Sequence, residues 1–368
     1  MRRYDWQLEI YCQKVHEPRE EAFVIPTDSS PGRVLVTGAT GFIAMNCVLQ
    51  LLQRGYQVRG TLRDLSRASA LRSTLAQHVD ANDRLELVRA DLLNDEGWDS
   101  AVSGCDYVLH VASPVPLKLP KNEDELIMPA RDGTMRVLRA AAAGGVKRVV
   151  LTSSIDAAIQ GHAVQNKRFT EDDWSNLDVK LTAYQKSKTL AERAAWHFVN
   201  QPDNVNLEMA VINPGFVFGP VMDSEFRSSS EPIRKLMLRE VPGIGRIMFP
   251  LADVRDVASA HLKAMVHPDA AGKRFFCVGS ICSLEEIALI LDNHFSGRGY
   301  RVPTRVLPDF LFRVVGLFDS SVRLVIPDLN KPQNISTERI RTVLGWEPRS
   351  KEEAIISMAE SMIKHGLI

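Results

Sequence analysis

After residue 32, the spacing of apolar residues follows two patterns that alternate along the chain. Short runs of consecutive apolar residues, such as Val34, Leu35 and Val36, indicate buried strands, and apolar repeats every three to four residues indicate amphipathic helices. The predicted strands cover 33–37, 56–62, 84–88, 106–112 and 147–153, and the predicted helices cover 42–54, 65–78, 94–102 and 124–143. Strands that alternate with helices predict βαβ units, and therefore an α/β fold with a doubly wound parallel sheet.

A glycine-containing turn, Thr-Gly-Ala-Thr-Gly-Phe-Ile-Ala at 37–44, links the first predicted strand to the first helix. Gly38 permits the tight turn, Gly41 lets the backbone approach a pyrophosphate closely, and Ala44 keeps the helix near the strand. The free N–H groups and the positive dipole end of the helix attract phosphate. Because the turn lies inside a βαβ unit, it predicts a Rossmann-type dinucleotide-binding fold rather than an ordinary βα turn.

The residues after the second predicted strand bear on the choice of dinucleotide. Asp64 offers a carboxylate for the ribose 2′-hydroxyl of NAD, whereas the adjacent Arg63 suits the 2′-phosphate of NADP. Arg67 adds a second cation one helical turn further on. We therefore expect NADP(H) as the cofactor and NAD(H) as the less favoured alternative. The ordinary structural explanation is that Arg63 lies at a solvated strand end.

Tyr184 and Lys188 lie four residues apart in a strongly helical segment, so they project from one face of that helix. Hydride transfer to a carbonyl leaves an alkoxide that needs a proton, and a phenol with a pKa of about 10 donates one reluctantly near neutrality. A neighbouring ammonium lowers that pKa, and a serine hydroxyl can orient the carbonyl oxygen. We predict Tyr184, Lys188 and Ser154 as catalytic residues, with Ser153 as the alternative serine. Two solvated helix residues are the ordinary explanation of the Tyr/Lys spacing.

Taken together, these motifs resemble the extended short-chain dehydrogenase/reductases. Further stretches are similar to the branch that contains the dihydroflavonol reductases, the cinnamoyl-CoA reductases and the yeast-type aldehyde and methylglyoxal reductases. They read VRGTLRD at 58–64, ADL at 90–92, HVASP at 110–114, NPGFVFGP at 213–220 and DVRDVA at 253–258, followed by His261. The resemblance covers about 33–367. It implies an NADPH-dependent reductase that converts a small or aromatic aldehyde or ketone to the alcohol.

The resemblance also implies which residues contact the cofactor. Arg63 would meet the 2′-phosphate, and Tyr184 and Lys188 would lie near the nicotinamide. The remaining implied contacts are Gly38, Ala39, Thr40, Gly41, Phe42 and Ile43 at the pyrophosphate, Asp91 and Leu92 at the adenine, Val111, Ala112 and Ser113 on the nicotinamide side, and Pro214 and Val217 at the carboxamide edge. A helix cap at Asp91 and plain core packing at Val111 are the ordinary alternatives.

Position 159 departs from the plant flavonoid reductases of this family. Those enzymes have an Asn five residues after the catalytic serine that helps to hold the polyphenol, whereas this chain has Ile159. Because an apolar side chain cannot hydrogen-bond a catechol ring, we expect Ser154, Ile159 and Tyr184 to contact a smaller or more apolar carbonyl compound. We expect 155–182 and 216–240 to form its pocket.

Changes in amino-acid composition along the chain predict three regions. Residues 1–32 carry mixed charges without the apolar region of a signal peptide, so we expect a poorly ordered N-terminal extension without a catalytic role. Residues 33–213 are predicted to form the NADP-binding Rossmann domain. Residues 214–368 are richer in Pro and Gly, with helices predicted at 253–267, 284–296, 309–318 and 350–364. They are expected to form mainly a smaller substrate-binding lobe, with some segments returning to the Rossmann core.

Composition excludes several classes of function. The 368 residues contain 45 Lys plus Arg and 45 Asp plus Glu, and this balance argues against a nucleic-acid-binding protein. Every apolar run is too short for a membrane span. The five cysteines are scattered and the nine histidines lack metal-ligand spacing, so we expect reduced thiols, no metal and a cytoplasmic location. The expected partner is a small carbonyl compound, and the expected state is a monomer or a homodimer.

Two other functions fit parts of the sequence. An NAD-dependent sugar-nucleotide epimerase or dehydratase would share the fold, but Arg63 argues against the acidic ribose contact that such enzymes often have. A non-catalytic NADP-sensing regulator could dispense with Tyr184 and Lys188, which this chain keeps together with Ser154.

Overall fold

The computed structural model describes residues 32–368 except 115–121, 163–166 and 226. The predicted N-terminal extension therefore lies, apart from Gly32, outside the described residues. The strands are Arg33–Val36 (β1), Gln57–Leu62 (β2), Leu85–Arg89 (β3), Tyr107–His110 (β4), Arg148–Thr152 (β5), Glu208–Pro214 (β6), Phe216–Phe218 (β7), Met248–Asp253 (β8), Arg274–Cys277 (β9) and Ser280–Ser283 (β10). The α-helices are Phe42–Gln53 (α1), Ala68–Ala76 (α2), Trp98–Val102 (α3), Asp124–Ala143 (α4), Ala183–Val199 (α5), Glu231–Met237 (α6), Val254–Val266 (α7), Leu284–Phe295 (α8), Asp309–Phe318 (α9), Ser320–Val325 (α10), Glu338–Leu344 (α11) and Lys351–Lys364 (α12).

The main sheet has seven parallel strands in the order β3-β2-β1-β4-β5-β6-β9. Val34 in β1 pairs with Val58 of β2 on one side and with Tyr107 of β4 on the other. The strand order reverses between these two neighbours, and such a switch point opens a crevice at the carboxyl ends of the strands. The predicted α/β fold with a Rossmann-type, doubly wound parallel sheet is confirmed.

Buried helices cover this sheet. Helix α4 packs against α5, and α1 packs against α7. Every residue of β5 is buried, which explains why its apolar run shows no alternation. The predicted helix over 94–102 is shorter in the structure and begins at Trp98, because Gly97 has a φ of 88° that is incompatible with helix.

A smaller sheet lies in the C-terminal part of the chain, where β8 pairs in parallel with β7 and antiparallel with β10. The sequence analysis did not predict these strands, because Pro250 lies inside β8 and Gly215 directly precedes β7. A Cβ at Gly215 would lie 1.9 Å from the carbonyl oxygen of Pro250, so only glycine permits this close approach. Strand β9, which comes after residue 214 in the chain, belongs to the main sheet. The boundary at 213/214 between the NADP-binding domain and the substrate-binding lobe stays a prediction.

A buried carboxylate connects the catalytic helix to the sheet. Glu192 of α5 is fully buried and accepts hydrogen bonds from Ser153 Oγ at 2.5 Å and Asn213 Nδ2 at 2.8 Å. Arg274 of β9 donates Nε–H to the same carboxylate at 2.5 Å. The group therefore ties α5 to β5, β6 and β9 at once.

Arg274 extends this network to the loop before α5. Its Nη1 donates to the carbonyl oxygens of Glu171 at 2.9 Å and Asp173 at 2.5 Å. Its guanidinium also lies 4.0 Å from the ring centroid of Trp174, which is cation–π geometry. One buried cation thus positions both α5 and the segment that leads to it.

Among the described residues, no helix combines the length and the apolar character needed to cross a bilayer.

Replacing Glu192 with Gln should destabilise the fold, because it leaves the Arg274 guanidinium buried without a counter-ion. Removal of one partner from a buried ion pair costs about 3–5 kcal/mol, which urea unfolding would measure as a loss in the free energy of unfolding. The matched control is Glu360→Gln. Glu360 pairs with Arg298 at 2.5 Å and both side chains are more than 40% exposed, so its loss should stay near 1 kcal/mol or below. Equal losses in the two variants would contradict the central role of Glu192.

Candidate active site

The turn between β1 and α1 forms a cradle at the N-terminus of α1, within which Gly38 N–H donates to Thr61 Oγ1 at 2.9 Å and Gly41 N–H donates to the Gly38 carbonyl oxygen at 2.8 Å. Gly38 has a φ of 65°, and a Cβ there would lie 3.0 Å from Ala112 Cβ. Gly41 is the N-cap residue of α1. It has no side chain, so it makes no side-chain hydrogen bond to the N–H groups of the first helical turn. A Cβ on Gly41 would also lie 3.2 Å from the Gly38 carbonyl oxygen. The residues therefore fit an anionic phosphate group.

A buried hydrogen-bond chain places the end of β4 beside this cradle. Thr37 Oγ1 accepts the N–H groups of Val111 at 3.0 Å and Ala112 at 2.9 Å and lies 2.9 Å from His110 Nδ1. Burial lowers the pKa of His110 to about 3, so the ring is neutral near pH 7 and Nδ1 accepts the Thr37 hydroxyl proton. The structure thus brings the predicted residues Val111, Ala112 and Ser113 next to the phosphate turn.

The two candidates for the adenosine ribose have different surroundings. Asp64 accepts hydrogen bonds from Ser66 N at 2.9 Å and Ser66 Oγ at 2.7 Å, and so caps the 3-10 turn Leu65–Arg67. Arg63 is exposed at the end of β2. Arg67 forms an ion pair with Glu225, a residue that the sequence analysis missed. Ser66 thus takes up part of the hydrogen-bonding capacity of the exposed Asp64 carboxylate, and the Arg63 guanidinium is exposed to a ligand.

The other predicted cofactor residues lie at the same edge of the sheet. Asp91 and Leu92 follow β3, Pro214 ends β6 and Val217 lies in β7. Asp91 accepts the N–H of Leu93 at 3.0 Å within a turn, and it does not cap a helix, because the next helix, α3, has Gly97 as its N-cap. Their contacts with a cofactor stay predictions.

The two candidate serines at the end of β5 differ in their partners. Ser153 is buried and donates its hydroxyl to Glu192. Ser154 Oγ accepts the N–H of Asp156 at 3.1 Å and interacts with the Tyr184 hydroxyl, whose pKa it lowers. The structure therefore leaves Ser154, rather than Ser153, as the serine that faces Tyr184.

A capping box sets where the catalytic helix begins. Thr182 Oγ1 accepts the N–H of Gln185 at 3.2 Å, and the Gln185 side chain accepts the N–H of Thr182 at 3.0 Å. Tyr184 and Lys188 then occupy successive turns of α5, with Lys188 Nζ 5.8 Å from the Tyr184 ring centroid. Lys188 is only 6% exposed. The predicted pair is thus brought together beside Ser154.

Burial dominates the ionisation of this pair. It lowers the pKa of Lys188 to about 8, although the negative charges of Asp156 and Glu192 act in the opposite direction. It raises the pKa of Tyr184 well above its usual value, and Asp156 adds to that rise. The expected lowering of the Tyr184 pKa by Lys188 is not found in this structure: the Ser154 hydrogen bond lowers the pKa, and burial outweighs it because a phenolate is costly to desolvate. Tyr184 is therefore protonated near pH 7 and is a weaker acid than a free phenol.

Asp156 is the acidic residue that the sequence analysis missed. Its Oδ1 accepts a hydrogen bond from Gln160 Nε2 at 2.6 Å, and its Oδ2 lies 3.5 Å from Ser154 Oγ. Burial raises its pKa to about 6, and the charge of Asp328 acts in the same direction. The available signal was its position two residues after Ser154.

Ile159, the predicted substrate contact, lies in an apolar cluster with Ile155, Ala158, Phe276 and Val278. Its side chain is 8% exposed, so little of it is open to a ligand. Its role in the pocket stays a prediction, and parts of the predicted pocket, 163–166 and 226, lie outside the described residues.

Comparison with known proteins identifies the family. The sequence model of the NAD dependent epimerase/dehydratase family matches residues 34–279, from β1 to the end of β9. The chain belongs to this family. It is an extended short-chain dehydrogenase/reductase, as its motifs predicted, and an NAD(P)-dependent oxidoreductase of the branch that acts on carbonyl groups.

The chain is similar to reductases of plants and yeast. Tetraketide alpha-pyrone reductase 1 of Arabidopsis thaliana is 34% identical over 276 residues, which cover 73% of this chain and 82% of that protein. Cinnamoyl-CoA reductase CAD2 of Medicago truncatula is 37% identical over 264 residues, covering 70% and 79%. The crystal structure of yeast methylglyoxal/isovaleraldehyde reductase Gre2 complexed with NADPH is 26% identical, with a TM-score of 0.77 over 91% of this chain and 100% of that one.

Ser153→Ala and Ser154→Ala should have different effects, because only Ser154 faces Tyr184. Ser154→Ala should lower kcat for carbonyl reduction by about 10²–10³-fold, the usual effect of losing one oxyanion donor, with the unfolding temperature unchanged. Ser153→Ala should instead lower the free energy of unfolding by about 1 kcal/mol, because Glu192 loses a donor. Steady-state kinetics and thermal unfolding measured on both variants check this, and the reverse assignment of effects would make Ser153 the orienting serine.

Proposed function

We propose that this protein is an NADPH-dependent reductase that converts a small or aromatic aldehyde or ketone to the corresponding alcohol. The observation that carries the proposal is the convergence of Ser154, Tyr184 and a buried Lys188 at the carboxyl edge of the sheet, beside the phosphate turn. The names of its relatives, which include cinnamoyl-CoA and methylglyoxal reductases, support the same class of reaction.

The residues that would hold NADPH are those predicted from the sequence. The backbone from Gly38 to Ile43 fits the pyrophosphate, and the exposed Arg63 fits the 2′-phosphate. Ser66 already donates two hydrogen bonds to Asp64, whereas the Arg63 guanidinium is exposed, and this supports NADP(H) over NAD(H). When bound, this cofactor supplies the hydride, and the chain supplies the binding, the orientation and the proton.

The proton would come from Tyr184. Ser154 donates a hydrogen bond to the carbonyl oxygen and orients it toward the phenol, and Tyr184 Oη transfers its proton to that oxygen as the negative charge develops. Lys188, charged below about pH 8, stabilises the phenolate that remains. Because burial raises the Tyr184 pKa, the phenol is protonated near pH 7 and gives up its proton only as negative charge develops on the substrate oxygen; the hydride transfer is reversible.

The alternatives have less support. A sugar-nucleotide epimerase or dehydratase would need an acidic contact to the ribose, and Asp64 is engaged in capping. A regulator that only senses NADP would have no use for a buried Lys188 beside Tyr184. The monomeric or homodimeric state and the cytoplasmic location stay predictions.

Arg63→Ala should raise the dissociation constant for NADPH far more than that for NADH, because only NADPH carries the 2′-phosphate. Loss of one charge-assisted hydrogen bond predicts an increase of about 10- to 100-fold, which fluorescence titration would measure. The control is Arg131→Ala, which removes an exposed guanidinium from α4. Equal weakening of both cofactors would instead make Asp64 the deciding residue.

Tyr184→Phe removes the proton donor and keeps the shape of the ring, so NADPH binding should survive while reduction should not. General acid catalysis contributes about 10²–10⁴-fold, and kcat should fall by that factor. Lys188→Met should lower kcat and also weaken NADPH binding, because the ammonium is expected to serve both. Near-normal turnover by Tyr184→Phe with normal NADPH binding would show that the proton comes from another group.

A further inference from the structure

Asp156 is a carboxylic acid that the proposed proton transfer does not use. Its Oδ2 lies 3.5 Å from Ser154 Oγ, and its charge acts on both Tyr184 and Lys188. A negative charge here raises the pKa of the phenol and so opposes the stabilisation of phenolate by Lys188. The Asp156 charge therefore does not assist the release of the Tyr184 proton, and a role in binding substrate accounts for a carboxylate beside Ser154.

The carboxylate is held in place from one side. Gln160 is buried and donates to Asp156 Oδ1 at 2.6 Å. The backbone N–H of Gln160 donates to Ser175 Oγ at 2.9 Å, and that hydroxyl donates to the carbonyl oxygen of Asp156 at 2.7 Å. These contacts fix the orientation of the Asp156 side chain before any ligand binds.

The other oxygen keeps capacity for a ligand. An ionised carboxylate accepts about four hydrogen bonds. Asp156 Oδ2 has a single long contact, with Ser154 Oγ, among the described residues. A donor group on a substrate held by Ser154 could therefore bind Oδ2.

A second carboxylate strengthens the negative potential at this place. Asp328, from the C-terminal part of the chain, acts electrostatically on Asp156. Its Oδ1 is buried and makes no hydrogen bond to the described residues, although Lys331 Nζ lies 3.5 Å away as an ionic partner. Such surroundings attract a hydroxyl or ammonium donor and repel a substrate carboxylate.

We propose that Asp156 is a specificity-determining residue that selects aldehydes or ketones with a hydroxyl or an amine on the carbon next to the carbonyl. The inference rests on the proposed function, because it concerns the same site. Ser154 binds the carbonyl oxygen, and Asp156 Oδ2 accepts the hydrogen bond from the donor one carbon away. Ser154 Oγ and Asp156 Oδ2 lie 3.5 Å apart. One substrate molecule can therefore place its carbonyl oxygen against the Ser154 hydroxyl and its neighbouring hydroxyl or amine against Oδ2. Compounds with a carboxylate at that carbon are excluded by charge repulsion.

The test compares hydroxyacetone with 2-butanone, which differ only in a hydroxyl against a methyl group, and includes pyruvate as the anionic analogue. The full-length protein oxidises NADPH with each ketone, and kcat/KM is the readout. We expect the wild type to prefer hydroxyacetone by about 10- to 100-fold and to react poorly with pyruvate.

Two variants remove the carboxylate in different ways. Asp156→Asn keeps the shape and removes the charge, and Asp156→Leu also removes the acceptor. Both should bring the ratio of kcat/KM for hydroxyacetone to kcat/KM for 2-butanone close to one, and Asp156→Asn should gain activity on pyruvate relative to 2-butanone. The ratio is the readout because the Asp156 charge also acts on Tyr184 and Lys188, so the absolute rates of all three ketones change together. Asp203→Asn, at an exposed position outside the predicted pocket segments, is the matched control and should keep the wild-type ratio. Thermal unfolding checks that each variant is folded.

The outcomes separate this inference from the proposed function. A wild type that reduces 2-butanone as well as hydroxyacetone, or variants that keep the wild-type ratio, would overturn the role of Asp156 and leave the reductase assignment intact. A parallel fall on both ketones would assign Asp156 to positioning Ser154 and would also overturn selectivity. Failure of the wild type to oxidise NADPH with these ketones, simple aldehydes or aryl ketones would overturn the proposed function itself.

Discussion

A carboxylate that is excluded from water must be surrounded by donors, and Glu192 meets this requirement with groups from three parts of the main sheet. Ser153, which directly follows β5, donates to it, as do Asn213 of β6 and Arg274 of β9. Breaking any of these contacts would leave a buried polar group without a partner, which is costly. The contacts therefore fix the orientation of α5 about its axis and its position on the sheet. Lys188 lies one turn before Glu192 on the same helix, so the network also determines where the catalytic pair meets the end of β5.

The same network assigns different tasks to two adjacent serines. Neighbouring residues at a strand end point in opposite directions, so once Ser153 binds Glu192, Ser154 must face away from it and toward Tyr184. The structural contact and the candidate catalytic contact are thus two results of one arrangement. A change at Glu192 would therefore affect the site without touching a substrate.

The electrostatics of the site balance two opposing demands. Lys188 is buried with a pKa of about 8, and the carboxylates of Asp156 and Glu192 help to keep it charged. The same Asp156 charge, together with burial, raises the pKa of the Tyr184 phenol. Asp156 therefore favours the charged form of Lys188 and disfavours the charged form of Tyr184.

The sequence by itself determined the features that depend on near neighbours along the chain. The parallel α/β fold, the phosphate turn from Gly38 to Ile43 and the pairing of Tyr184 with Lys188 follow from apolar periodicity, turn chemistry and the pitch of a helix. Only the tertiary structure decided which serine faces the site, that Asp64 is engaged by Ser66, and that β7, β8 and β10 form a second sheet around Pro250. It alone joined Glu192 to Arg274, 82 residues away, and Asp156 to Asp328. The burial and the charged neighbours of these residues depend on segments that are distant in the chain, and the local sequence does not show which segments those are.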